Sequence, residues 1–483
     1  MNARTALFVV CCLVANVVEA QVETTSYLMS SLPQYVSANP AFVQRYKFSL
    51  GLPVLSSFSY TYTNNGFTYN DLVRRENGTV IADLSEWAKN LPDRTYVTTT
   101  LQTDLFSLGL RINPKFYLTL LSSVKGYGRL LIPKQLAALL VNGTSPYIGQ
   151  TLNISPELHM TSYLENGAGL SVKLTDELTI GARLKILHGL VAADTETSRF
   201  GIALDDNYQI TATGDFRLRS SGLYNFTQSN YSFSEERKNY FSNRGWGLDL
   251  GATYQLMDKL TVAASLVDMG GIRWRHNTFE YSLQGAAYTF KGIDVDQLLD
   301  GDATYMEAQL DSLESEFELQ ETEGVAFRSP LPGKFYLSGQ YEVMRNLTVG
   351  ALWFNEKYRG RVATGFSIMM NKNFGRALST SLSYTMSHRS FNNLGAGISF
   401  NFAPFQIYLV GDNLLRLPLS LATNRNLNAF INNTQVFTLR GGINFVWGWT
   451  QADGSTGPNK RNANRRAKNS LKKADYIKVR QKK

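Results

Sequence analysis

Four histidines, His159, His188, His276 and His388, are the natural starting point for chemistry in this chain, and they are scattered without metal-ligand spacing. His388 lies two residues from Ser390, so strand alternation puts both on one face. A nucleophile with a neighbouring base would look like this, but a Ser/His pair at a strand end arises readily by coincidence. No Gly-rich phosphate loop, EF-hand or zinc pattern occurs. The sequence thus nominates no catalytic residue, no metal site and no cofactor, and it reads as a non-enzyme. What does recur is charge at i, i+2: Arg183 with Lys185, Arg217 with Arg219, and Arg273 with Arg275. In strands each pair projects from a single face. Two readings follow. The pairs line a cationic path for an anionic or carboxylate-bearing solute, or they bridge acids such as Asp215 and Asp249 and fill an interior.

The elements that would carry these pairs are strands. Trp246, Leu248, Leu250, Ala252, Tyr254 and Leu256 alternate with Gly247, Asp249, Gly251, Thr253 and Gln255, and comparable runs occur near 46–62, 101–124, 162–190, 200–218, 260–290, 333–370, 378–386, 394–402 and 405–415. The segments Leu174–Ala182, Leu256–Ala264 and Val343–Ala351 resemble one another, each joining two alternating strands through a tight polar turn. That suits an up-and-down meander, although hairpins also share turn chemistry by convergence. Three stretches break the alternation and are expected to be helical insertions: Val80–Leu91, Pro133–Val141 and Asp294–Glu323. The last carries eleven acids and no base, a capping box at Thr304 and Glu307, and an apolar stripe of Met306, Leu310, Leu313 and Phe317.

The ends give the context. Arg4, an apolar run from Ala6 to Val18, and small residues Val18 and Ala20 read as a cleavable export signal over 1–20. Cys11 and Cys12 fall inside it, so the exported chain would have no cysteine and no disulfide framework. No later segment approaches the roughly 20 apolar residues of a membrane helix. A mean hydropathy of −0.19 is no obstacle to a membrane location, since barrel strands alternate and the average cancels. The net charge of +9 is concentrated from Asn459 to Lys483, where eleven Lys or Arg face one acid. The body is therefore near neutral, and any anionic-surface argument concerns the tail. In Leu439–Trp447, Leu439, Ile443, Phe445 and Trp447 share one face while Arg440 and Asn444 take the other, as lipid outside and water inside require. On a lipid face a cation costs roughly 2–4 kcal/mol at the midplane, so the charged pairs belong in the lumen or beyond the membrane.

The chain resembles a family of uncharacterised Bacteroidota outer-membrane barrels, distantly related to FadL-type hydrophobic-compound transporters and PorV-type secretion barrels. The resemblance rests on Ser37–Ala41, Val267–Trp274 and Tyr408–Leu415, and it covers most of residues 27 to 449. Asn39, Pro40 and Ala41 are similar to the tripeptide that FadL-type proteins carry where an N-terminal hatch enters the barrel. Arg440, Gly442, Phe445 and Trp447 resemble the signal read by the barrel-assembly machinery.

These observations predict a transmembrane antiparallel β-barrel of about 14 strands, with an N-terminal hatch and helical loop insertions. The expected organisation is signal 1–20, hatch 21–45, barrel 46–449 with an acidic insertion at 292–327, and a basic periplasmic tail 450–483. The candidate lumen residues are Arg183, Lys185, Arg217, Arg219, Asp249, Arg273 and Arg275. The expected location is the outer membrane, with lipid and the barrel-assembly machinery as partners and no nucleic acid. Two functions fit. One is a FadL-like conduit for a small hydrophobic or amphipathic solute. The other is a non-transporting scaffold in secretion or envelope organisation, whose tail engages a periplasmic protein or peptidoglycan.

Overall fold

The computed structural model describes residues 24–449 apart from 68–72, 77–78, 83, 207–208, 224–240, 291–316, 388–389 and 414–435. The expected signal and the basic tail lie outside the described residues, as does His388.

Fourteen antiparallel strands close into one barrel, the expected fold. In chain order they are β1 (Tyr46–Gly51 and Phe58–Asn64), β2 (Arg94–Arg111), β3 (Phe116–Pro133), β4 (Glu157–Lys173), β5 (Leu178–Leu204), β6 (Asn243–Met257) and β7 (Leu260–Trp274). They continue with β8 (Gly333–Met344), β9 (Leu347–Tyr358), β10 (Arg361–Phe374), β11 (Leu378–Ser387), β12 (Ser390–Phe402), β13 (Phe405–Asp412) and β14 (Val436–Trp449). The ring closes where β14 meets both pieces of β1, Phe48 opposite Trp447 and Tyr60 opposite Leu439. Closure removes the sheet edge, so backbone N–H and C=O groups can pair within the wall, as a hydrocarbon environment demands.

The alternation reads inside out relative to a soluble protein. On β10, Phe366, Ile368 and Met370 are exposed while Ser367, Asn371 and Asn373 are buried; on β11, Leu382 and Tyr384 face out and Ser379, Ser381, Ser383 and Thr385 face in. β14 follows the same pattern, with Leu439, Ile443 and Trp447 outward and Arg440 and Asn444 inward. A polar interior and an apolar exterior are what lipid outside and a wet lumen select.

Connections at one end are turns of two to four residues, as between β4 and β5, β6 and β7, or β8 and β9; the long connections gather mostly at the other. At the long-loop end β5 outreaches the ring. Its upper half pairs with Ile210–Ser221, which pairs in turn with Thr278–Phe290. β7 rises from a short turn and β8 descends to one, so the insertion at 292–327 leaves and returns at the long-loop end. Its predicted helix falls largely outside the described residues, including Thr304, Glu307 and most of the apolar stripe; Gln320–Glu323 is a strand paired with Thr278–Phe290, not a helix end. Two helices are present among the described residues, α1 (Leu84–Asn90) and α2 (Lys134–Asn142). α1 is shorter than the periodicity of Val80–Leu91 predicts, because Val80 and Ile81 are taken by a hairpin of Val73–Glu76 and Thr79–Ala82. α2 begins after Pro133 and ends at Gly143, whose φ of 68° lets its N–H reach the Leu139 carbonyl.

Residues 24–45 lie within the ring, towards its short-turn end. Two 3-10 turns, Thr25–Leu28 and Pro33–Ser37, compact this segment. Its Tyr27, Leu28, Tyr35 and Phe42 pack against Val267 on β7, Tyr336 on β8, Leu352 and Phe354 on β9, and Met369 on β10. One apolar cluster is therefore the joint between the inserted segment and this side of the wall, and Met29 and Leu32 make a second joint with Tyr408 and Val410 on β13.

Candidate functional site: the plugged lumen

The inserted segment is held at both ends and in the middle. At its start, Asp412 Oδ1 accepts from the Thr25 amide at 3.1 Å and from the Thr24 and Thr25 hydroxyls. Midway, Gln34 and Asn444 exchange amide hydrogen bonds of 3.0 and 3.2 Å, and Gln406 donates to the Ser31 carbonyl at 2.7 Å. At its end, Asn39 is fully buried. Its Nδ2 donates to the Ala264 carbonyl at 3.2 Å, while its Oδ1 accepts from the Ala41 amide at 2.8 Å. The Asn39-Pro40-Ala41 step can reach the wall because Gly181 on β5 and Gly251 on β6 stand opposite each other in register. A Cβ on Gly181 would overlap the Pro40 carbonyl, and one on Gly251 would overlap the Asn39 side chain.

The recurring segments acquire a meaning here. Their eighth positions are Gly181, Ala263 and Gly350. Ala263 belongs to the cluster around Tyr27, and Gly350 lies against Leu28. The recurrence therefore carries a small inward residue that seats the inserted segment as well as a turn, a signal that turn chemistry alone does not explain.

Above this seat lies a charge cluster. Arg183 Nη1 is 3.0 Å from Asp249, and its Nη2 donates to the Val36 carbonyl at 2.8 Å. Lys185 Nζ lies 2.8 Å from Asp249, 2.5 Å from Asp268 and 3.6 Å from Glu165. Lys125 is 2.8 Å from Glu165 and 3.6 Å from Asp268, and Lys334 is 4.0 Å from both Asp268 and Glu356. Four cations thus meet four carboxylates, and Arg183, Lys185 and Asp249 are at most 2% exposed. A set that neutralises itself offers no free cation to an anionic solute. Of the two sequence readings, bridging is the one this geometry matches.

The other four predicted lumen residues are elsewhere. Arg217 and Arg219 sit on Ile210–Ser221, beyond the barrel, where they pair with Glu196 and Glu280. Arg273 on β7 and Arg275 just beyond its end are exposed on the outer face. A bulge explains the second displacement: between Leu248 and Leu250 the register with β7 shifts, and Asp268 adopts φ 60°. Below it Ala263, Ser265 and Val267 face in; above it Ile272 and Trp274 do, which turns Arg273 and Arg275 outward. Sequence reasoning missed Lys125, Glu165, Lys334 and Glu356 because none of them has a charged residue two positions away on its strand, the spacing that singled out the pairs. Asp268 and Asp412 lie within two of the motifs that carried the family resemblance.

A cavity of about 180 Å3 lies beside the Arg183–Val36 contact, lined by both the inserted segment and the charge cluster. Tyr27, Tyr35, Val36, Val267 and Tyr336 give it an apolar side; Asp104, Lys125, Glu165, Lys185 and Glu356 give it a charged one. Beyond it the mouth is narrowed from opposite walls. Tyr127 on β3 meets Tyr358 on β9 with ring centroids 4.5 Å apart. Arg359, on the β9–β10 turn, lies 2.6 Å from Asp194 on β5, which also engages His159 Nδ1 at 2.7 Å. Arg359→Gln is expected to raise ion conductance in planar bilayers severalfold once the inserted segment is deleted, and only slightly while it is present. Equal conductance of both deleted proteins would show that the bridge does not constrict the path.

Among the described residues no His, Cys, Asp and Glu cluster suits a metal ion, and no helix is long and apolar enough to cross a membrane, which says nothing against crossing by strands.

These features define a plugged, antiparallel β-barrel with an apolar exterior. The chain belongs to the family of unknown function DUF5723, whose model matches residues 40–412. No curated protein matches it. Among solved structures it is similar to a Pseudomonas aeruginosa FadL homologue, at 10% identity and a TM-score of 0.40, covering 90% of this chain and 100% of that one. It is also similar to the Pseudomonas putida toluene transporter TodX, at 10% identity and 0.41, with 89% and 97% covered. The Ralstonia pickettii toluene transporter TbuX matches at 10% and 0.40, with 86% and 93% covered.

Proposed function

We propose that this protein is an outer-membrane conduit for a small amphipathic solute, held shut by residues 24–45. The observation that carries the reading is the lumenal cavity bounded below by the inserted segment, with the mouth beyond it narrowed by Tyr127, Tyr358 and the Arg359–Asp194 bridge. Its two-sided lining suits a molecule with an apolar body and a polar end. Its volume of about 180 Å3 is below the roughly 300–1,000 Å3 of a drug-sized ligand pocket, so passage of anything larger requires the plug to move. The plug is fastened by hydrogen bonds and by two apolar joints, one around Tyr27 and one where Met29 and Leu32 meet Tyr408 and Val410, and such fastenings can release locally without opening the wall. The outer-membrane location is supported by the closed ring and its apolar exterior.

Thr25 and Ser383 provide the test, because their side-chain oxygens are 2.5 Å apart and an S–S bond spans about 2.0 Å. The double variant Thr25→Cys, Ser383→Cys, reconstituted in vesicles, is expected to lose release of entrapped 4-hydroxybenzoate when oxidised and to regain it on reduction. Equal release in both states would mean that the plug does not gate the path. Absence of release from the reduced variant and the parent protein alike would remove the conduit reading and leave the scaffold reading, which the plugged lumen also accommodates.

A further inference from the structure

One charged surface is left unused by the conduit. Arg244 on β6 stands opposite Arg273 on β7, and Arg273 stands opposite Arg328 on the strand Phe327–Pro330. Arg275 follows two residues beyond Arg273. Their strand neighbours Asn243, Ile272, Trp274, Phe327 and Ser329 are buried, so the four guanidinium groups project from the outer face. Like charges directly opposite on neighbouring strands destabilise a sheet. Here three lie in a row, and among the described residues none of the four has an acidic partner, whereas Arg217 and Arg219 have Glu196 and Glu280. Among the described residues, the one hydrogen bond from these guanidinium groups is Arg244 Nε to the Phe241 carbonyl at 3.0 Å.

Their level on the barrel points to what balances them. Trp246, two residues from Arg244 on the same face, is 62% exposed, and in register beside it on β5 is Ile186, 54% exposed, followed by Leu184. The arginines therefore sit where the apolar band ends, on the long-loop side. Short turns face the periplasm in such barrels, so this is the headgroup level of the outer leaflet. Guanidinium groups bind phosphate oxygens in bidentate fashion, and a tryptophan at the interface packs against the region where headgroup meets acyl chain.

We propose that Arg244, Arg273, Arg275 and Arg328 dock the phosphorylated headgroup of an outer-leaflet glycolipid. This rests on the outer-membrane reading and is independent of conduction. An occupied ladder exchanges mutual repulsion for charge-assisted hydrogen bonds, and the exposed apolar band beneath it takes the acyl chains.

The test is lipid retention by the full chain refolded in detergent, read by native mass spectrometry with bisphosphorylated lipid A, its dephosphorylated form, or inorganic phosphate as probes. Bisphosphorylated lipid A is expected to be retained roughly tenfold better than the dephosphorylated form, as expected of charge-assisted hydrogen bonds. Arg273→Gln with Arg328→Gln should abolish that preference, and Arg217→Gln with Arg219→Gln should leave it intact. Equal retention of the two lipids, or a preference that survives the first double variant, overturns the proposal. Competition by inorganic phosphate as effective as by the lipid also overturns it, by making the surface a free-phosphate site. So does lipid preference gained only after removal of residues 291–316, which would assign the ladder to the acidic insertion. Heat-modifiable gel migration after insertion into vesicles separates the two levels. Failure to insert defeats the membrane reading and this inference together, and normal insertion without phosphate preference defeats this inference alone.

Discussion

Asp249→Ala is expected to destabilise the folded barrel by about 3–5 kcal/mol, the scale for removing one partner of a buried ion pair. Asp249 is fully buried. One oxygen accepts from Arg183, and the other holds Lys185 and the Asp268 amide, at 2.8 Å in each case. Without it Arg183 keeps only the Val36 carbonyl among its close partners, and an uncompensated guanidinium is left where it is 1% exposed. The measurement is the urea midpoint of the vesicle-inserted protein, followed by tryptophan fluorescence. Arg183→Met with Asp249→Leu supplies the control. Replacing a buried pair by apolar groups of similar volume is often neutral or stabilising, so the double variant should recover much of the loss. A double variant as unstable as the single would show that packing around Asp249, and not the orphaned cation, sets the cost.

Gly181→Val is expected to raise the leak of reconstituted vesicles by roughly tenfold or more, because a barrel of this circumference is too wide for its wall side chains to fill once unplugged. The substitution adds bulk where the Pro40 carbonyl now touches the wall, and valine is favourable in a strand, so barrel stability should change little. Gly339→Val is the matched control, since nothing lies within 4 Å of the Cβ it would add. If Gly181→Val folds with an unchanged leak, the Asn39-Pro40-Ala41 contact is not what keeps the lumen shut. A leak of similar size in Gly339→Val would trace the effect to strand substitution in general. The prediction bears on conduit and scaffold alike: a scaffold made leaky in this way would still be plugged for a structural reason, and only the disulfide lock distinguishes the two.

Much of this architecture was legible in the residues. A period of two is a local property, and it sorts Leu439, Ile443 and Trp447 from Arg440 and Asn444 without reference to the rest of the chain. Summed over many strands it leaves closure as the arrangement that hides every edge, so the barrel and its approximate strand number followed. Bridging of the paired cations by acids such as Asp215 and Asp249 was one of two readings the residues offered, without saying which cation meets which acid. Alternation failed where it was interrupted. The bulge at Asp268 exchanges the two faces of β7, and no count of periods reveals a single extra residue, which is why Arg273 and Arg275 belong to the outer surface and not the lumen. Arg217 and Arg219 were displaced for a different reason: their strand pairs with the part of β5 that outreaches the ring.

What the sequence determined by itself is the set of inward and outward residues on each uninterrupted strand, because that depends on backbone geometry alone. What only the tertiary structure decided is which inward residues meet. Thr25 finds Asp412 across 387 positions, and Arg183 finds Asp249 across 66, because ring closure and register bring distant strands together. The seat of the plug belongs to the same class. Gly181 and Gly251 are ordinary strand glycines until the fold lays Pro40 and Asn39 against them, since room for a backbone is a property of the assembled wall and not of either residue.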